Sequence, residues 1–376
     1  MTPSTLDIHL TNHTTSSHVY ATISGLAIDR SNSWCLIQSD GKTPYYPPSP
    51  PTILQPVPEN CAIPLPPPTQ SIKITIPRLA GGRIYFSLDK PLVFLLNPGP
   101  ALVEPSVTNP TDPNYHTDWT FMEFTYNQDQ LYANISYVDF ISIPISLSLT
   151  TSSSAVKRVL GLPRDGLEKI ANGLESQSRT DGEKWGDLIV RNEAGRVMRI
   201  LSPNQGMILH PSLFEGYFEP YINAVWEHYS TRDINIDTQC HHGVLTGRVN
   251  PQTQLLCIDG VEFSKPCTRD IFNASSGPFQ TGSDAKRNAI IPRLNAEFNR
   301  SVLLKCDGKV PVRGTGGYYT HGVTNHYARL VHGVNIDGRG YAHPYDDVSA
   351  GEEHDHSGFV SDGGPKRFEV VIGGVE

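Results

Sequence analysis

Residues Trp119 to Phe140 read WTFMEFTYNQDQLYANISYVDF. Two runs rich in β-branched and aromatic residues flank the polar break Asn127-Gln128-Asp129-Gln130. That pattern predicts a strand, a short turn and a second strand. In the first run Glu123, Thr125 and Asn127 share one face, and Met122, Phe124 and Tyr126 the other. A solvated surface strand would more often mix Lys with Glu. This one sets a lone acid among Thr, Asn and aromatic residues, a combination that suits a sugar.

A second acid, Asp139, lies 16 residues further on in Tyr137-Val138-Asp139-Phe140, again between apolar neighbours. Two acids in apolar sequence invite an acid/base reading, because burial raises a carboxyl pKa and can leave one of a pair protonated. Most acids near strand ends are solvated or structural, so spacing alone does not single these out. A plain turn at Asn127 to Gln130 sets Glu123 opposite Asn134, which leaves Asp139 roughly 16 Å further along and on the other face. The chain after Asn134 must therefore bulge, bend or move to a neighbouring strand if the two acids are to meet.

The strings MEFTYN and LYANISYVDF, followed by Ile143-Pro144-Ile145, resemble the signature of glycoside hydrolase family 64. These are endo-β-1,3-glucanases built partly on a thaumatin-like β-barrel. The resemblance implies that Glu123 is a general acid and Asp139 a general base. It also implies inversion of anomeric configuration, which needs carboxylates roughly 6.5–9.5 Å apart so that a water fits beside the sugar. Gly338 to Val348 (GRGYAHPYDDV) resembles the closing motif of thaumatin-like folds, which reads close to YAFPYDDV; here His343 stands in place of Phe. Tyr132 occupies a position where the family often carries Trp, and either ring could stack on glucose. Thr125, Asn127, Tyr132, Ser136, Tyr137 and Asp346 are the expected substrate-binding residues, Asp346 by its place in the closing motif.

The chain has 376 residues, more than a single core usually serves, so two domains or subdomains are expected. With 32 Gly, 31 Pro and only 18% charged residues, the composition is that of a β-rich, loop-rich secreted protein. The net charge is −8 with scattered Lys and Arg, which disfavours nucleic acid and anionic membranes and fits a neutral polysaccharide. No apolar run is long enough to span a bilayer. No secretory leader is visible, so the start was trimmed or export is unconventional. Six cysteines allow three disulfides; connectivity stays open, with Cys35–Cys61 the expected pair and the other four pairing among themselves. Sequons at Asn12, Asn134, Asn273 and Asn299 lend weak support to secretion, and Asn134 lies too near the two acids to expect a glycan.

Outside the central stretch, Leu6–Leu10, Val19–Ile23, Ile72–Ile76, Arg83–Leu88 and Leu92–Leu96 read as strands. Pro47 to Pro68 reads as a surface loop of polyproline character, and Asn97 to His116 as a loop. Helices are expected at Asp165–Ser176, from Pro211 through Tyr229, and at Asp284–Phe298 with a break near Pro292. Hairpins are expected at 188–201 and 245–258. Helices mixed with hairpins from 151 to 308 indicate an α/β domain inserted into a β-domain formed by 1–150 and 309–376. Tyr327–Leu330, Gly340–Ala342 and Phe368–Ile372 read as closing strands.

The glycine-rich Arg313 to Gly317 lacks the Lys and helix of a phosphate loop. His241-His242 and His354-Asp355-His356 have metal-binding residue types but no evident third ligand, so neither metal nor cofactor is expected. The fold class expected is thus mainly β, a thaumatin-like barrel or sandwich with an α/β insert and an open groove between them. The groove would hold a monomeric endo-glucanase's β-1,3-glucan and laminari-oligosaccharides, or serve a non-catalytic glucan-binding protein.

Overall fold

The computed structural model describes residues 1–305, 307–351 and 356–374. The chain is mainly β, with several sheets and few helices. Both chain ends share a five-stranded sheet, in the order Val156–Val159, Ile145–Thr151, Pro365–Ile372, Thr5–Asn12 and Ser71–Pro77. The closing strand runs parallel to the first, pairing Ile8 with Phe368 and Leu10 with Val370. Alternating Leu6, Ile8 and Leu10 are buried there, as their period of two requires.

An eight-stranded sheet carries the central stretch. Its order begins Phe359–Asp362, Leu131–Asn134, Trp119–Tyr126, Leu79–Leu88, Val19–Ala27. Asn127 makes the tight turn, its Oδ1 accepting from the Asp129 and Gln130 amides. Glu123 faces Asn134 in the resulting register, as the turn predicts. The edge strand Phe359–Asp362 was not legible in sequence; it pairs with Leu131–Asn134 and stacks Phe359 on Tyr132, ring centroids 5.0 Å apart.

The α-helices, which begin at Gly166, pack with two further sheets, one of Phe140–Ile141, Val197–Leu201 and Ile189–Arg191, the other of five short strands ending at Lys309–Val310. The first helix, Gly166–Asp181, buries Ile170, Ala171 and Leu174. Several expectations are corrected. Residues 211–218 form turns, and the helix is Glu219–Thr231, begun by Pro220 in its first turn, where a missing amide costs nothing. An unexpected helix, Pro203–Leu209, precedes those turns, capped by Ser202, whose Oγ accepts from the Gln205 amide. Ala285–Arg300 runs unbroken through Pro292, since its buried face of Ile290, Ile291, Leu294 and Phe298 outweighs one lost hydrogen bond. Tyr327–Leu330 is helical, inside His326–Val334, because Asn325 caps the Ala328 amide and Tyr327, Ala328 and Val331 fall on one buried face. Leu92–Leu96 is a strand only at its end, in Leu95–Asn97, and Gly340–Ala342 contributes a single bridge, Tyr341 to Ser136.

Cys35 and Cys61 are buried free thiols, each pushed up to about 12 by burial, and Cys240, Cys257 and Cys267 are also unpaired. The expected disulfides are therefore not formed among the described residues, and Cys306 lies outside them. Of the four sequon asparagines, Asn12, Asn134 and Asn299 are buried, and Asn273 is half-buried, its side-chain amide donating to Ser276 Oγ at 2.8 Å. Among the described residues, no helix is long and apolar enough to cross a membrane.

Candidate active site

The Trp119–Tyr126 strand lies between Leu131–Asn134 and Leu79–Leu88, and its register with the latter sets Glu123 beside Arg83. Arg83 donates to Glu123 Oε1 from Nε at 3.2 Å and from Nη2 at 3.1 Å. Its Nη1 meets Glu104 Oε2 at 2.7 Å, and Tyr85 donates to Glu104 Oε1 at 2.7 Å. Burial pushes the Tyr85 phenol up, so it remains a neutral donor. The setting of Glu123 is thus not the apolar one expected: a guanidinium shared with a second carboxylate fixes one of its oxygens. The other, Oε2, has no hydrogen-bond partner among the described residues.

Asp139 reaches the same place from a different sheet. After Asn134 the chain leaves the eight-stranded sheet: Ser136 bridges Tyr341, and the Tyr137 amide donates to the Tyr341 carbonyl at 2.7 Å. It then enters the smaller sheet, pairing Phe140 with Leu201. The Phe140 ring packs edge-on against Trp119 at 4.7 Å and against Phe121 at 5.8 Å. Trp119 and Phe121 alternate with Glu123 on one strand face, so this aromatic contact ties the residue after Asp139 to the strand that carries Glu123. The Arg83 guanidinium lies over Phe121, 5.0 Å from its centre. Asp139 itself is held by the Pro203–Leu209 helix. The Ser202 amide donates to its carbonyl at 2.9 Å, and Gln205 Nε2 to its Oδ1 at 2.7 Å. Oδ2 has no partner among the described residues.

Glu123 and Asp139 line one open cavity of about 420 Å³ with Arg83, Tyr132, Asn134, Ser136, Val138, Tyr341 and Asp347. Of the expected sugar contacts, Tyr132 and Ser136 lie in this cleft. Thr125 and Asn127 do not line it; Asn127 is spent on the turn. Tyr137 is buried, its hydroxyl on Asn335 Oδ1 at 3.3 Å, and Gly340 lies so close that a Cβ there would fall 2.5 Å from the ring.

Asp346 is fully buried behind the cleft and does not line it. His343 Nε2 lies 3.1 Å from its Oδ1, His332 Nε2 3.0 Å from its Oδ2, and Arg300 Nη2 3.3 Å from Oδ1. Burial alone would raise the Asp346 carboxyl; His343 and His332 outweigh it and hold it well below the usual carboxylate range. His343, in place of the Phe of the motif, is therefore a partner of Asp346. The adjacent Asp347 faces the cleft instead, accepting from Tyr341 Oη at 2.7 Å. Arg83, Glu104, Gln205, Asn134, Tyr341 and Asp347 are the site residues that sequence reasoning missed. Arg83 was within reach, since Arg83 and Tyr85 alternate on a recognised strand. Glu104 and Gln205 had no local signal.

A mainly β protein with two carboxylates facing one cleft, among hydroxyl and amide groups, has the arrangement that glycoside hydrolases use. The sequence profile of glycoside hydrolase family 64, beta-1,3-glucanase, matches residues 4–372, and the chain belongs to that family. Glucan endo-1,3-beta-glucosidases of Cellulosimicrobium cellulans and Arthrobacter sp. strain YCWD3 are each 28% identical over 309 residues, 81% of this chain and 54% of theirs. The chain thus spans about half the length of the curated relatives it matches. The crystal structure of a laminaripentaose-producing beta-1,3-glucanase in complex with laminaritetraose superposes with a TM-score of 0.87 at 30% identity, covering 98% of both chains. A beta-1,3-glucanase domain from Clostridium beijerinckii shares the fold, with a TM-score of 0.75 at 20% identity and 98% coverage of both chains.

Proposed function

We propose that this protein hydrolyses β-1,3-glucan internally, with inversion, releasing short laminari-oligosaccharides. The observation that carries the reading is the convergence of Glu123 and Asp139, from separate sheets, on one cleft. Arg83 occupies Oε1 of Glu123 and leaves Oε2 to carry the proton to the leaving glycosidic oxygen. Gln205 occupies Oδ1 of Asp139 and leaves Oδ2 to take a proton from water on the opposite face of the sugar. Tyr132, Asn134, Ser136, Tyr341 and Asp347 supply the ring face and polar groups for glucose. The relative solved with laminaritetraose supports the linkage.

We read the two larger sheets as thaumatin-like, the chain as a monomer acting outside the cell, and its organisation as 1–150 and 309–376 framing an insert at 151–308. Proton NMR of the anomeric signals during digestion of a soluble β-1,3-glucan tests the mechanism. The α-anomer is expected first. An initial β-anomer would overturn inversion, and binding without new signals would leave only a glucan-binding protein. Glu123→Gln should cost several decades of rate, on the scale of losing a general acid (about 10²–10⁴-fold), with glucan binding retained.

A further inference from the structure

The Ile234–Asp237 and Val244–Val249 strands form a hairpin whose turn reads Thr238-Gln239-Cys240-His241-His242-Gly243. Sequence alone offered two histidines without a third ligand. The turn supplies it: ligand atoms of Cys240, His241 and His242 lie within 4.8 Å of one another. From these residues and this spacing, we propose a site for a borderline-soft divalent cation, zinc, on the turn at residues 240–242, separate from the carboxylate cleft.

Four observations carry it. The donor set is one thiol and two imidazoles, which zinc prefers and magnesium or calcium does not. Tetrahedral bonds of about 2.0–2.3 Å put ligand atoms roughly 3.3–3.6 Å apart, so small rotations of the exposed Cys240 and His241 side chains toward the half-buried His242 close the gap. The backbone beneath is already set: the Thr238 amide and hydroxyl both donate to the Gly243 carbonyl, at 3.0 and 2.7 Å, and the Gly243 amide to the Cys240 carbonyl at 3.0 Å. Gly243, at φ 65°, takes the left-handed turn that a side chain would resist.

The fourth observation is an unmet group. His242 Nε2 is buried and makes no hydrogen bond among the described residues. An unpaired buried polar atom is costly, and a bound metal changes what both imidazole nitrogens can do. Around the cluster, Thr238 Oγ1 lies 3.4 Å from Cys240 Sγ. Gln239 Oε1 accepts from Arg293 at 3.1 Å, and its Nε2 donates to the Ser349 carbonyl at 2.7 Å. Three protein ligands leave a fourth position for water, so the site is open rather than closed. Gln239, next to Cys240, also lines two surface cavities.

The test uses the reduced, chelator-stripped chain titrated with Co²⁺ and then Zn²⁺. One equivalent of Co²⁺ should give a thiolate-to-cobalt charge-transfer band with tetrahedral visible bands, and Zn²⁺ should abolish both. Cys240→Ser should remove the charge-transfer band. His241→Gln and His242→Gln should each weaken binding by at least the ~10–100-fold that losing even an outer partner costs. Cys267→Ser, at the exposed N-cap of the Thr268–Asn273 helix, should leave the bands and the affinity unchanged, and the metal-free melting temperatures of Cys240→Ser and His241→Gln should match the parent because both side chains are exposed. No charge-transfer band in the parent chain, a band that survives Cys240→Ser, or an affinity unmoved by both histidine changes would each overturn the site. The result does not depend on the assignment of Glu123 and Asp139.

Discussion

Gln205→Ala tests whether the Pro203–Leu209 helix positions the base. The substitution removes the Nε2 donor 2.7 Å from Asp139 Oδ1 and little else. The helix cap survives, because Ser202 Oγ accepts from the backbone amide of residue 205, and Ala is a good helix former. A hydrogen bond to a charged group contributes about 1.5–3 kcal/mol. At about 1.36 kcal/mol per decade that is roughly 10- to 150-fold in rate. Both side chains are half-buried, so water replaces part of the bond, and the low end, about tenfold, is expected. Initial rates of reducing-sugar release on a soluble β-1,3-glucan should show kcat reduced and KM nearly unchanged, since the carboxylate is misplaced in the transition state while the glucan contacts persist. A kcat within twofold of the parent would refute the positioning role. A raised KM with unchanged kcat would move Gln205 to substrate binding.

Two stability predictions follow from buried charge. Asp346→Asn takes from Arg300, which is 1% exposed, the nearer buried carboxylate and leaves Glu297 Oε1 3.8 Å away; breaking a buried pair costs about 3–5 kcal/mol, so in a chain of this length melting should fall by about 4–6 °C, and a fall under ~2 °C would show that Glu297 and the Asp346 and Val348 carbonyls already satisfy Arg300. His326 concerns acid: burial first, then Arg329, hold its imidazole down at about 4, from an ordinary 6.5, and Arg329 Nε donates to its Nδ1 at 2.9 Å. The unfolded chain takes up that proton before the folded one does, so this contribution, at most roughly 3 kcal/mol, is whole above pH 6.5 and is lost as pH falls toward 4. His326→Gln should narrow the drop in melting temperature between pH 7 and 4.5; an unchanged drop would show that other groups carry the acid sensitivity.

What sequence could read was set by local period. The strands at 5–12 and 71–77 bury residues at the period of two their sequence shows, while 19–27, 119–126 and 131–134 are strands where their β-branched and aromatic runs lie, with both faces buried over much of the first two. The misreadings share one cause, in that tertiary packing decided between periods over short runs. Tyr327 to Leu330 is four residues long and apolar enough for either element; the Asn325 cap and the buried Tyr327, Ala328 and Val331 made it a helix. Pro292 would stop an isolated helix, yet it sits in one whose C-terminal half is buried almost throughout. Phe214 and Phe218 keep helical spacing but lie in turns, buried against Trp185 and Phe272, so their periodicity reported burial without helix.

The site follows a different logic. Glu123 and Asp139 are close in sequence, but the turn between them holds them apart, and what joins them is distant. Tyr341 draws the chain off the sheet at Ser136, the Val197–Leu201 strand receives Phe140, and Gln205 takes the carboxylate. Arg83 and Glu104 come from a neighbouring strand and a loop. A one-residue slip of Trp119–Tyr126 against Leu79–Leu88 would turn Glu123 to the opposite face, away from Arg83 and the cleft. Trp119 and Phe121 would turn with it and lose Phe140, which would release Asp139 as well. The aromatic residues of the central stretch therefore guard the geometry of both acids at once. That is why the stretch can be recognised as a motif while its spacing alone says nothing of how the acids meet.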